Sequence, residues 1–155
     1  MALFLSTFEN KIDKKGRVSV PAQFRASLAQ DSAGIIIYGS FVNDCIEACG
    51  FNRIEQLSYS IDQLDPYSEE RDAFAATILG GSLQLAFDRE GRVMLPPSLQ
   101  QNAGIIDHVV FVGKGATFEI WNPEKFEIYA ERARQVARQG RAHLRLSHPS
   151  IGGEK

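Results

Sequence analysis

No run of apolar residues in this chain is long enough to cross a bilayer. The longest, such as Gly34-Ile35-Ile36-Ile37-Tyr38, are strand-length against the roughly 18 residues a membrane helix needs. The first residues, Met1-Ala-Leu-Phe-Leu-Ser-Thr-Phe, lack the basic start and long apolar core of a secretory signal, so a cytoplasmic protein is expected. Cysteine is scarce: Cys45 and Cys49 stand four apart with no histidine nearby, at most half of a tetrahedral zinc site. On a strand four residues span roughly 13 Å, too far for a disulfide, so both are expected to be packing thiols. The three histidines, His108, His143 and His148, are not spaced as metal ligands. No Gly-rich phosphate loop or nucleophile elbow occurs, and GKGAT at 113–117 is too short for a P-loop. These absences point away from an enzyme and from any metal or cofactor.

Charge of one sign is also missing overall. The net charge of −2 argues against indiscriminate binding to nucleic acid, but it hides a strong segregation. Residues 1–30 carry five bases against two acids, and residues 43–74 carry two against eight. From Glu131 onward there are six bases against two acids. A basic edge, an acidic middle and a basic tail can face a polyanion on one side.

What the chain does have is a repeat. Asp13 to Phe24 reads DKKGRVSVPAQF and Asp88 to Leu99 reads DREGRVMLPPSL. The match continues from Ile35-Ile36-Ile37-Tyr38-Gly39 to Val109-Val110-Phe111-Val112-Gly113, and from Ile46-Glu47-Ala48-Cys49 to Phe118-Glu119-Ile120-Trp121. The offset stays between 72 and 75 residues, so each half carries the same order: strand, Asp-x-x-Gly turn, strand, short helix, apolar strand, alternating strand, helix. Asp at the first turn position and Gly at the fourth suit a type I turn that closes a hairpin. Val18 and Val20, like Val93 and Leu95, then fall on one strand face with the arginine on the other. Pro21 and Pro96 end these strands and suit the first position of a following helix.

Between the halves, Phe51, Ile54, Leu57, Ile61 and Leu64 recur at helical spacing. Asp65-Pro66 reads as the start of a second helix that Gly80-Gly81 stops. Asn122-Pro123-Glu124 caps a last helix through about Gln139, which Gly140 closes, and Arg141 to Lys155 reads as a mobile tail. The expected division is a first repeat over 7–54, a helical spacer over 55–82, a second repeat over 83–126, and a C-terminal helix with a basic tail over 127–155. A unit of about 45 residues buries too little surface to stand alone, so two copies in one chain are expected to pair as a pseudo-twofold module.

Two copies of D-x-x-G-R-V-x-[VL]-P, each entering a short helix, joined by a helical spacer and followed by GKGATFEIWNPEKFEIY, resemble the MraZ family of transcriptional regulators of the division and cell-wall gene cluster. The resemblance covers residues 1 to about 130. It implies two SpoVT-AbrB-like units forming an AbrB-like swapped-hairpin β-barrel, mostly β with flanking helices (α+β). It also implies ring-like homo-oligomers that bind repeated sites in double-stranded promoter DNA, the protein's own promoter included, with Arg17 and Arg92 near the DNA. Such a protein would be nucleoid-associated. Two stretches depart from the pattern: the first repeat ends Cys45-Ile-Glu-Ala-Cys-Gly-Phe, and Glu90 stands where a cation is expected.

On chemistry, Arg17 is the first candidate for reading bases, because a guanidinium can fork onto guanine O6 and N7, while Lys11, Lys14 and Lys15 suit neighbouring phosphates. Arg89 and Arg92 form a weaker second set because Glu90 opposes the phosphate field. Asp13, Gly16, Asp88 and Gly91 are expected to be turn scaffold. The bland reading of the basic residues is a solvated strand edge protected against aggregation. The tail arginines fit a phosphate-binding arm or a helix end complementing its dipole. Phe118, Trp121 and Phe126 fit core or subunit contacts. The rival function is an oligomeric assembly that binds no DNA, or one that sequesters a protein partner.

Overall fold

In the computed structural model of the chain the described residues are 2–29 and 32–147, so the last part of the basic tail, with His148 and Lys155, lies outside them. The elements run β1 (Thr7–Lys11), β2 (Arg17–Ser19), α1 (Ala22–Ser27), β3 (Gly34–Gly39), β4 (Ile46–Cys49) and α2 (Phe51–Asp62). Next come α3 (Glu69–Phe74), continued by a π turn over Ala75–Leu79, then β5 (Leu83–Ala86), β6 (Arg92–Met94) and α4 (Pro97–Ala103). β7 (His108–Gly113), β8 (Phe118–Trp121) and α5 (Pro123–Gln139) complete the order, with a 3-10 turn over Arg141–His143.

The result is a mixed α+β fold dominated by antiparallel sheet. Six strands pair in the order β1-β7-β8-β4-β3-β5, and β2 pairs with β6 in a separate ribbon. Strands from the two ends of the chain interleave: Phe8 lies opposite Phe111, and Ile35 opposite Leu85. The ladders do not form the expected closed barrel. Among the described residues nothing pairs edge strand β1 with edge strand β5, because each runs into an Asp-x-x-Gly corner and its chain leaves for the ribbon. An isolated bridge between Ile12 and Val18 ties the first corner to β2.

Alternation decides what is buried. Val18, Val20, Val93 and Leu95 are all sealed beneath the ribbon, where they meet the inner face of the sheet. The centre of that core is aromatic: Phe24 of α1 sits 5.5 Å edge-on from Phe4 and from Phe8, and 4.8 Å from Phe118. A side chain of this kind contributes about 1.5–3 kcal/mol by leaving water. The outer face carries two smaller clusters. Tyr38, Ile61 and Ile78 pack under α2 and the π turn, while Trp121, Val110 and Val112 pack under Phe126 and Tyr129 of α5.

Helix ends follow local chemistry, with two corrections. Asn122 caps α5 by accepting from Lys125 N at 3.0 Å, and Gly140 closes the helix. Pro21 and Pro96 occupy the cap positions themselves and not the first helical positions, since Ala22 and Pro97 begin the helices. The spacer's second helix starts at Ser68, whose hydroxyl accepts from Arg71 N at 3.1 Å, and not at Asp65. Asp65 is taken up by its own turn, accepting from Tyr67 N at 3.1 Å. Among the described residues no helix is long and apolar enough to cross a membrane.

Candidate nucleic-acid interface

The two Asp-x-x-Gly corners are built alike. Asp13 Oδ1 accepts from Lys15 N at 3.0 Å and Arg17 N at 2.8 Å, and its Oδ2 accepts from Arg17 Nε at 2.7 Å. Asp88 repeats the set with Glu90 N at 2.8 Å, Arg92 N at 2.9 Å and Arg92 Nε at 2.8 Å. Gly16 and Gly91 turn the chain at φ +86° and +76°, a conformation that side chains resist. The backbone N–H of the following arginine, the largest influence on each, holds both carboxyls below the usual carboxylate value. The bond from Asp88 in turn raises the affinity of Arg92 for its proton. Each aspartate thus bonds the backbone of its own turn and the side chain of the arginine that follows.

The corners feed opposite ends of the ribbon and lock it across the pair. Leu95 N donates to Gly16 O at 2.8 Å, and Val20 N donates to Gly91 O at 3.1 Å. In the ribbon Arg17 lies opposite Met94 and Ser19 opposite Arg92, with the buried Val18–Val93 pair between them. Arg17, Ser19, Arg92 and Met94 therefore share the outward face, the arginines at its two diagonal corners. They are separated by two residues along the strands and one strand spacing, roughly 8 Å between backbones. A two-stranded ribbon of this width is one of the shapes that the major groove of B-DNA admits.

The remaining candidates distribute unevenly. Lys11, at the end of β1, and Lys14 and Lys15, at the first corner, are exposed. Arg89 is exposed at the second corner, but there Glu90 takes Arg92 Nη2 at 2.8 Å. Arg92 is thus held by two carboxylates, whereas Arg17 is held by Asp13 alone among the described residues. Sequence reasoning missed Ser19, Met94 and Asn10, whose amide donates to Ser19 O at 2.7 Å. Alternation along the strands implied the first two, but the Asn10 contact joins separate elements.

A second polar group went unread because it depends on the folded chain. Glu119 is buried, accepting from Trp121 Nε1 at 2.8 Å and from Lys114 Nζ at 3.0 Å. Burial works against the Lys114 charge, but the bonds to Tyr129 and Glu119 more than offset it and its pKa is raised. Cys45 and Cys49 are free and buried; burial pushes the Cys49 thiol up to about 11, and the Cys45 thiol is raised by the same cause. Among the described residues no group of three or more His, Cys, Asp or Glu side chains is placed to hold a metal ion.

Comparison with known proteins gives consistent matches. A family model described as "MraZ protein, putative antitoxin-like" matches residues 3–48 and 78–146. A protein of Rickettsia bellii named "Transcriptional regulator MraZ" is 57% identical over 147 residues, covering 94% of this chain and 98% of that protein. Proteins with the same name from Rickettsia canadensis and Rickettsia africae are 56% and 52% identical, over 94% and 96% of this chain and 98% and 100% of theirs.

Proposed function

The chain belongs to the MraZ family of transcriptional regulators, and from that premise we propose that it acts by binding repeated sites in double-stranded promoter DNA. Division and cell-wall genes, its own promoter included, are the proposed targets. The observation that carries the reading is the outward face of the β2–β6 ribbon, where Arg17 and Arg92 stand at diagonal corners, each oriented by an aspartate through Nε. A guanidinium fixed only at Nε, as that of Arg17 is among the described residues, still presents its far nitrogens, the geometry that a bidentate contact to guanine requires, whereas one far nitrogen of Arg92 is engaged by Glu90. Lys11, Lys14 and Lys15 then meet neighbouring phosphates, and Arg89 serves the second corner.

The architecture proposed for this work is two units of one plan, 7–54 and 83–126, joined by the 55–82 spacer and followed by the 127–155 helix and tail. Their interleaved β1–β7 and β5–β3 pairings support a pseudo-twofold swapped-hairpin arrangement related to the AbrB barrel. One ribbon offers few contacts, so affinity depends on several copies of the chain engaging several DNA repeats at once. A ring-like homo-oligomer in the cytoplasm, associated with the nucleoid, is the proposed working form.

Fluorescence anisotropy with DNA from upstream of the protein's own gene, against a shuffled duplex and across salt, tests the reading. Preference for the native duplex, a steep salt slope and a large loss on Arg17→Ala are expected. Absence of binding to either duplex at moderate salt by an intact oligomer would instead mean that the ribbon serves only assembly.

A further inference from the structure

The outward face of the β2–β6 ribbon carries one side chain that is apolar. Met94 is 54% exposed and belongs to none of the three apolar clusters of the described residues. A single exposed apolar side chain is ordinary on a protein surface. This one stands directly opposite Arg17, so the two side chains rise from the same face with their Cβ atoms about 4.5–5.5 Å apart. The matching position of the first repeat is Ser19, which stands opposite Arg92. The ribbon therefore presents two unlike pairs. Arg17, held by Asp13 alone among the described residues, is set beside a thioether, whereas Arg92, held by both Asp88 and Glu90, is set beside a hydroxyl.

We propose that Met94 is a specificity-determining residue that reads the C5-methyl group of a thymine next to the base that Arg17 contacts. In the major groove thymine projects a methyl among base edges that otherwise offer donors and acceptors, and an apolar side chain is what recognises it. The spacing suits adjacent base pairs: side chains one strand spacing apart, roughly 4.8 Å, face bases stacked about 3.4 Å apart. Methionine is unbranched and polarizable, so it adjusts to the difference between these two distances. Arg17 is fixed at Nε by Asp13, and the pair thus joins a positioned donor to an adjustable apolar contact. Ser19, in the matching place, both donates and accepts and so accommodates more than one base. Discrimination between sequences then falls mainly to the Arg17–Met94 end of the ribbon. Such a role rests on the DNA reading above and adds to it a group, the thymine methyl, that none of the cations can read.

Deleting the methyl from the DNA tests this with the full-length protein. Fluorescence anisotropy compares the duplex from upstream of the protein's own gene with the same duplex carrying deoxyuridine in place of every thymine, which pairs alike but lacks the methyl. Wild type is expected to bind the thymine duplex tighter by about fourfold for each methyl covered, the ratio that burial of one such carbon supports. Met94→Ala is expected to bind both duplexes equally, close to the wild-type level for the deoxyuridine duplex. Its salt slope should stay that of the wild type, since no phosphate contact is lost. Met94→Leu, still apolar, should retain a preference for thymine. Because Met94 is exposed, all variants should keep the wild-type melting temperature and the wild-type mass by light scattering. A wild type indifferent to the methyl, an alanine variant that keeps the preference, or an alanine variant of altered mass overturns the role of Met94. A wild type that prefers its native duplex to a shuffled one yet ignores the methyl removes that role alone; one that binds neither duplex removes the DNA reading and Met94 with it.

Discussion

Glu90 holds Arg92 by Oε1 to Nη2 at 2.8 Å, a bond that Arg17 does not have because Lys15 occupies the matching place in the first corner. The two corners therefore differ in available charge although their backbones and aspartates are alike. Replacing Glu90 by Gln releases one end of Arg92 and removes a charge that repels phosphate. Affinity for promoter DNA is expected to rise several-fold, and the salt slope to steepen by about one where Arg92 gains a phosphate. In the same assay Arg17→Ala should cost about 1–3 kcal/mol, as expected of a lost bidentate base contact, and Arg92→Ala less. Equal losses from both arginines, with no gain from Glu90→Gln, would count against the asymmetry.

Both corner aspartates titrate below the usual carboxylate value, held down first by the backbone N–H of the arginine that follows. A carboxyl held down in the folded state adds stability that is fully present above its ordinary value of about 4 and is lost as pH falls through the lowered one. The corners should stay closed between neutral pH and pH of about 4 and open only under stronger acid. NMR titration of the Lys15, Arg17, Glu90 and Arg92 amides checks this; movement centred on the ordinary aspartate value would disprove it.

Much of the site was legible in local spacing. Asp, Gly and Arg at fixed intervals dictate the corner, and Val18 against Val93 dictates which side of the ribbon faces out. The Asn122 cap and the Gly140 stop are equally local. What stayed hidden needs partners far along the chain. That β1 lies beside β7 and β3 beside β5 is settled by which apolar faces meet in the folded chain. Phe4, in a stretch with no strand pattern of its own, is fully buried because Phe24 and Phe118 close around it. Ser68 displaced Asp65 as a cap because both residue types can do either job.

Trp121, the only tryptophan, donates to the buried carboxylate of Glu119, so its fluorescence reports on that group. Glu119→Ala leaves a buried indole N–H without a partner at a cost of about 1–3 kcal/mol. Glu119→Gln keeps an acceptor for the indole and loses only the charge facing Lys114. Emission should shift more in the alanine variant, which should also melt earlier. Equal behaviour of the two would mean that the indole bond contributes nothing.

Phe24 is the residue on which the aromatic core converges, with no exposed surface and edge contacts to Phe4, Phe8 and Phe111. Phe24→Ala is expected to cost about 3–5 kcal/mol, a large part of the roughly 5–15 kcal/mol that holds a typical domain folded. Urea unfolding measures it. A loss below about 1 kcal/mol would show that the neighbouring rings collapse into the space.

Gly16 and Gly115 both sit at positive φ, +86° and +79°, but in different surroundings. A Cβ at Gly115 meets nothing within 4 Å, whereas at Gly16 it lies 2.9 Å from Leu95 O and 2.7 Å from the Gln100 amide. Gly115→Ala therefore carries only the strain of the left-handed backbone, about 1–2 kcal/mol. Gly16→Ala adds a collision with the backbone of the segment that Gln100 Nε2 and Gly16 itself hold in place. Its loss of stability should be the larger. It should also weaken DNA binding, because relief of the collision moves β2 against β6 and with them the two arginines. Thermal melting and anisotropy on the two variants decide the matter: equal melting temperatures would mean that the ribbon yields freely, and unchanged DNA affinity would mean that the spacing of Arg17 and Arg92 is unimportant.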